Sequence, residues 1–76
     1  MKLDVRLFKE EEIDGVYRAH FIVYYNGTEI TRFALEFSER PSESVIIQKQ
    51  SEILEQIKQS PPLKMKKLIE ATRRTE

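Results

Sequence analysis

An α+β architecture follows from three features of this 76-residue chain. The first half alternates apolar and polar residues with the period of a strand. The second half spaces its apolar residues as a helix does, and two glycine dipeptides divide the alternating part into three. The expected order is a three-stranded antiparallel β-meander over about 2–9, 16–25 and 28–37, a covering helix over about 42–59, and a short basic C-terminal helix over about 62–74. All of it reads as one domain over 1–76, with the sheet in 1–38 and the helical part in 42–76, broken at 60–62.

In the first strand Leu3, Val5 and Leu7 alternate with Lys2, Asp4 and Arg6. In the second, Tyr17, Ala19, Phe21 and Val23 alternate with Val16, Arg18, His20, Ile22 and Tyr24, and in the third Phe33, Leu35 and Phe37 alternate with Arg32, Ala34 and Glu36. Aromatic and β-branched side chains suit a pleated surface. Asp14-Gly15 and Asn26-Gly27 supply the turns, either as two-residue primed turns or as three-residue loops closed by a glycine bulge. A two-residue turn at Asn26-Gly27 sets Phe21 opposite Arg32, which mixes polar and apolar groups on one face. A three-residue loop sets Tyr17 opposite Leu35 and Ala19 opposite Phe33. The same loop at Ile13-Asp14-Gly15 sets Leu7 opposite Phe21 and Val5 opposite Val23. The apolar pattern therefore favours two bulged three-residue hairpins.

A three-stranded sheet with one apolar face needs cover. Ser42 is the expected N-cap of the covering helix, with Glu43 in its first turn and Ile46, Ile47, Ile53, Leu54 and Ile57 at helical spacing. Ser60-Pro61-Pro62 ends it, and Ser60 is the expected cap of the next helix. There Met65, Leu68 and Ile69 form a narrow apolar stripe among Lys64, Lys66, Lys67, Arg73 and Arg74. The three-residue connection reaches roughly 10 Å, against on the order of 20 Å needed to pass round the sheet to its far side. The second helix is thus expected to stay on the first helix's side, to project, or to pack on another chain.

The opposite sheet face is then open. Its expected cross-strand rows are Phe8–His20–Arg32, Arg6–Ile22–Ile30 and Glu10–Arg18–Ala34, with Tyr24 beyond them. This mixture of aromatic, aliphatic and arginine side chains is the composition of an interface core. The candidate partner-binding residues are Arg6, Phe8, Arg18, His20, Ile22, Tyr24, Ile30 and Arg32, together with the stripe Met65, Leu68 and Ile69.

Several chemistries are excluded or disfavoured. The chain has no cysteine, so disulfides, thiolate metal sites and thiol nucleophiles are ruled out. His20 is the only histidine, and in the expected register neither a metal ligand nor a carboxylate stands across from it. Both glycines serve turns, which leaves none for a phosphate-cradling loop or a nucleophile elbow. Glu10-Glu11-Glu12 with Asp14 lacks calcium-loop spacing and reads as a solvated acidic hairpin loop. Asn26-Gly27-Thr28 matches a glycosylation pattern, but the turn accounts for it. No apolar run approaches the roughly 20 residues of a membrane span, and the first residues do not read as a signal peptide.

These readings lead to an expected non-enzymatic, cofactor-free, metal-free protein-interaction module in the cytoplasm. Its expected partner is itself, as a homodimer formed through the open sheet face and/or the last helix, or another protein, with neither a membrane nor a small-molecule substrate. The alternative is a DNA- or RNA-binding domain using Arg6, Arg18 and Arg32 with the basic helix residues Lys64, Lys66, Lys67, Arg73 and Arg74. Charge argues against that alternative: 13 cationic side chains balance 13 anionic ones, although residues 63–76 carry +3 and the remainder −3.

Overall fold

The computed structural model describes residues 2–74, with side chains to Ala71. Three strands, β1 (Leu3–Ile13), β2 (Val16–Tyr25) and β3 (Thr28–Phe37), form one antiparallel sheet in the order β1-β2-β3. Two helices follow, α1 (Glu43–Gln59) and α2 (Leu63–Arg74). Strands of ten or eleven residues make the molecule long, 50 × 20 × 18 Å.

Both hairpins close differently from the expectation. Asp14-Gly15 and Asn26-Gly27 form two-residue turns, with Ile13 paired to Val16 and Tyr25 to Thr28. All four turn residues have positive φ, between 49° and 83°, as a type I′ turn requires. The conflict between this turn and the apolar pattern is resolved inside the strands. β1 slips by one residue at Phe8 and β3 by one residue near Ile30. Each bulge returns the apolar set to one face. Leu7 still faces Phe21 and Val5 still faces Val23. In the second hairpin, however, Ala19 faces Leu35 and Phe21 faces Phe33, two residues from the expected register.

Two further expectations fail for the same reason. A two-residue turn carries the strand to its very end, so Glu10, Glu11 and Glu12 belong to β1, paired with Ala19, Arg18 and Tyr17, and not to a loop. The second bulge turns Ile30 to the helix side, where it is 6% exposed and part of the core, and not on the open face.

That core is built on β2. Ala19, Phe21 and Val23 are completely buried beneath the helices, with Val5, Tyr17, Tyr25 and Ile30 around them. α1 starts at Ser42, whose Oγ accepts a hydrogen bond from the Val45 N–H at 3.4 Å. Ile46, Ile53 and Ile57 of α1 are buried on one stripe. Gln50 stands in the same stripe, and its amide donates to the Val5 carbonyl at 3.1 Å, which ties α1 to the outer edge of β1. Ser60 caps the end of α1, its N–H donating to the Gln56 carbonyl. It does not open α2, whose first turn is closed by Lys66 N–H to the Pro62 carbonyl.

α2 stays on the helix side and packs near β3. Met65 is 2% exposed, and Leu68 and Ile69 are half-buried against the same core. The expected uncovered stripe is therefore covered by the chain's own sheet. The short Pro-Pro connection leaves α2 within reach of β3, and burying a thioether and two aliphatic side chains is sufficient reason to dock there. Among the described residues no layer covers the other face of the sheet.

Candidate functional site

Four cross-strand rows make up the open face: Asp4–Tyr24–Glu29, Arg6–Ile22–Arg32, Lys9–His20–Ala34 and Glu11–Arg18–Glu36. Beyond the last row lies the pair Ile13–Val16. Both signs occur on these rows, and each of their cations finds an anion. Arg6 Nε lies 2.7 Å from Asp4, Lys9 Nζ 3.1 Å from Glu11, Arg18 Nη2 2.9 Å from Glu36 and Arg32 Nη2 3.0 Å from Glu29. The rows thus sum to no net charge.

Hydrogen bonding shifts the ionisation of these groups in the expected directions. Donating to Asp4 raises the Arg6 pKa, and donating to Glu29 raises that of Arg32, so both guanidiniums stay charged. Reciprocally, Lys9 holds the Glu11 carboxyl below its ordinary value, and Arg32 does the same to Glu29. Exposed ion pairs of this kind add little to stability. What they do here is fix where the guanidiniums point.

The arginines are also set against rings. Arg6 Cζ sits 5.7 Å from the centre of Tyr24, and Arg32 Cζ 5.3 Å from the centre of Phe8. Phe8 in turn meets His20 with ring centres 5.8 Å apart and planes inclined by 59°. The Phe8–Arg32 contact joins the two outer strands across the middle one. Ile22, with Arg6 and Arg32 directly on either side, is only 8% exposed on a face that has no covering layer. Long cationic side chains cover apolar surface with their stems in this way.

Phe8, His20 and Arg32 were expected in one row. They do meet, but through their side chains: the bulge at Phe8 puts Lys9 across from His20 and lets the Phe8 ring reach β3. The same slip removes Glu10 from this face and brings Glu11 to it. His20 Nε2 consequently lies 3.4 Å from Glu11 Oε2, where no carboxylate was expected, although no hydrogen bond forms there.

The site therefore gathers seven expected residues, namely Arg6, Phe8, Arg18, His20, Ile22, Tyr24 and Arg32. It excludes Ile30, Met65, Leu68 and Ile69, which belong to the helix-side core. Lys64, Lys66 and Lys67 are exposed on α2, across the sheet from the open-face arginines, and the side chains of Arg73 and Arg74 lie outside the described residues. Residues that sequence reasoning passed over are the partner carboxylates Glu11 and Glu29, the cation Lys9, and the exposed pair Ile13 (57%) and Val16 (38%).

Among the described residues no three metal-binding side chains converge, and no helix is long and apolar enough to cross a membrane. A search of family models, curated proteins and solved structures finds no match to this chain.

Proposed function

We propose that this chain is a small, non-enzymatic protein-interaction module whose working surface is the open sheet face. One observation carries the reading. Among the described residues five large apolar side chains are exposed, and three of them, Phe8, Ile13 and Val16, stand on this single uncovered face. Exposed apolar groups set among charges on one face, here Phe8 and the Ile13–Val16 pair on either side of the Glu11–Arg18–Glu36 row, are what a protein-binding surface presents. The partner this face fits is a protein surface that offers apolar side chains to Phe8, Ile13 and Val16 and hydrogen-bonding groups to the arginine–carboxylate pairs.

The nucleic-acid alternative has less in its favour. A phosphate-binding face works by excess positive charge; the four rows of this one sum to zero, and Lys2 at their end adds a single cation. Each of its guanidiniums already donates to a carboxylate. Lys64, Lys66 and Lys67 of α2 sit behind the sheet and cannot add to it. Two measurements separate the readings. Retention on heparin or mixed oligonucleotides at about 50 mM salt, where phosphate contacts are strongest, is expected to be absent. Capture from the native host is expected to recover a protein that an Arg6→Glu/Arg32→Glu bait loses. Strong heparin retention, or equal recovery by both baits, would count against the proposal.

A further inference from the structure

We propose that this chain forms a two-fold homodimer by pairing the outer edge of β3 with the same edge of a second copy. The two edges of the sheet are unlike. β1 carries a bulge at Phe8, the charged run Lys9-Glu10-Glu11-Glu12, and the Gln50 amide bonded to its Val5 carbonyl. Bulges, charges and covering groups of this sort block edge pairing. β3 is regular from Thr31 to Phe37, has no proline or lysine there, and among the described residues no hydrogen bond to its outer backbone is found. Beside that edge, Phe33, Leu35 and Phe37 are only half-buried. They form one wall of a groove whose other wall is Val45 and Ile53 of α1.

The occupant is a second copy because β3 is complementary to itself. A two-fold axis normal to the sheet keeps both sets of helices on one side, and it requires paired residues to share a face. With the axis at Ala34, Phe33 faces the second copy's Leu35 on the helix side, so each groove is closed by the other copy's apolar wall. On the open side Arg32 faces the second copy's Glu36, twice. Centring on Leu35 instead would set Arg32 against Ser38 and lose both charge pairs. The rim of the groove carries Lys49 and Glu52, which again offer both signs to an identical rim. The product is a six-stranded sheet with a continuous open face of double area.

Seven paired residues extend about 23 Å at 3.3 Å per residue. An interface of that length and about two layers' depth lies at the low end of specific contacts, so association is expected in the micromolar range or weaker. This inference stands apart from the open-face reading: oligomeric mass reports the one and partner binding the other.

Sedimentation velocity over a concentration series from about 10 μM to about 1 mM tests it. The wild type is expected to pass from the 9.0 kDa monomer to a dimer. Arg32→Glu and Glu36→Arg alone should each weaken dimerisation about tenfold or more, since each sets like charges opposite one another twice. An equimolar mixture of the two variants should dimerise like the wild type, because every 32–36 pair across the axis is again of opposite sign. Mixing cannot repair damage within one chain, so folding defects do not imitate this result. A monomer at all concentrations, a dimer indifferent to both variants, or a mixture no better than its components would overturn the proposal.

Discussion

Replacing Met65 by alanine asks whether α2 is part of the domain or an appendage to it. Met65 is 2% exposed within the core cluster, beside the half-buried Leu68 and Ile69. The substitution removes three heavy atoms. At about 0.8 kcal/mol for each buried methylene-sized group the transfer loss is roughly 2.4 kcal/mol. Buried Met→Ala changes span about 2–5 kcal/mol, and the partly open rim lets the site relax, so about 2–3 kcal/mol is expected. A 76-residue domain has roughly 4–11 kcal/mol in all, so this is a large share. The thermal midpoint should fall by on the order of 10–20 °C. Circular dichroism melts of Met65→Ala beside Leu63→Ala provide the assay, because Leu63 lies two residues away and is 67% exposed. Leu63→Ala should shift little. A Met65→Ala midpoint as close to wild type as that of Leu63→Ala would refute the docking of α2. It would also reopen the question of which sheet face is uncovered.

Three other outcomes follow from the geometry. Gly27 has φ +83°, and a Cβ there would meet open space, so Gly27→Ala should cost about 1–2 kcal/mol through the backbone alone and Gly27→Asn less, read by denaturant titration. The Glu11 and Glu29 carboxyls are held below their ordinary value of 4.5, chiefly by Lys9 and Arg32, so their ionised forms favour the fold. That contribution is complete above pH 4.5 and is lost as the pH falls through the lower folded values; an acid-unfolding limb unchanged in Glu11→Gln/Glu29→Gln would contradict it. The Tyr17 hydroxyl is buried and meets no group in hydrogen-bonding geometry among the described residues, and burial, followed by the neighbouring Glu10 carboxylate, pushes its pKa up; Tyr17→Phe should leave the melting midpoint unchanged or raise it, and a clear fall would mean the hydroxyl is bonded to Glu10.

Much of this fold is legible in the residues. The alternation of Tyr17, Ala19, Phe21 and Val23 and the spacing of Ile46, Ile53 and Ile57 are direct consequences of one buried face. Ser42 and Pro61-Pro62 mark the ends of α1 through capping and steric exclusion. The placement of the bulges is harder to read. Turn chemistry and apolar pattern disagree by one residue in each hairpin, and that residue can be absorbed at the turn or anywhere along the strand. A signal for the second bulge does exist: Ile30 and Phe33 are three apart, whereas Phe33, Leu35 and Phe37 are two apart. That break in phase locates the slip. Without that slip Ile30 falls on the open face and every row of the site shifts. The ion pairs of the open face were hidden for the same reason, since Lys9 and Glu11 reach it only once Phe8 is bulged. Met65 was misplaced on other grounds. A narrow stripe on a short basic helix looks the same whether it meets its own sheet or another chain, and the short linker alone does not distinguish them.

In the proposed function partners are held by the open face and not by the helical side. Calorimetric titration of the purified captured protein against wild type, Phe8→Ala and Ile47→Ser tests it most directly, because Phe8 (45% exposed) and Ile47 (55% exposed) are similarly accessible on opposite sides of the molecule. Phe8→Ala is expected to weaken binding about tenfold or more, as loss of an aromatic anchor does, while Ile47→Ser stays within about twofold. Normal binding by Phe8→Ala together with loss in Ile47→Ser would contradict it.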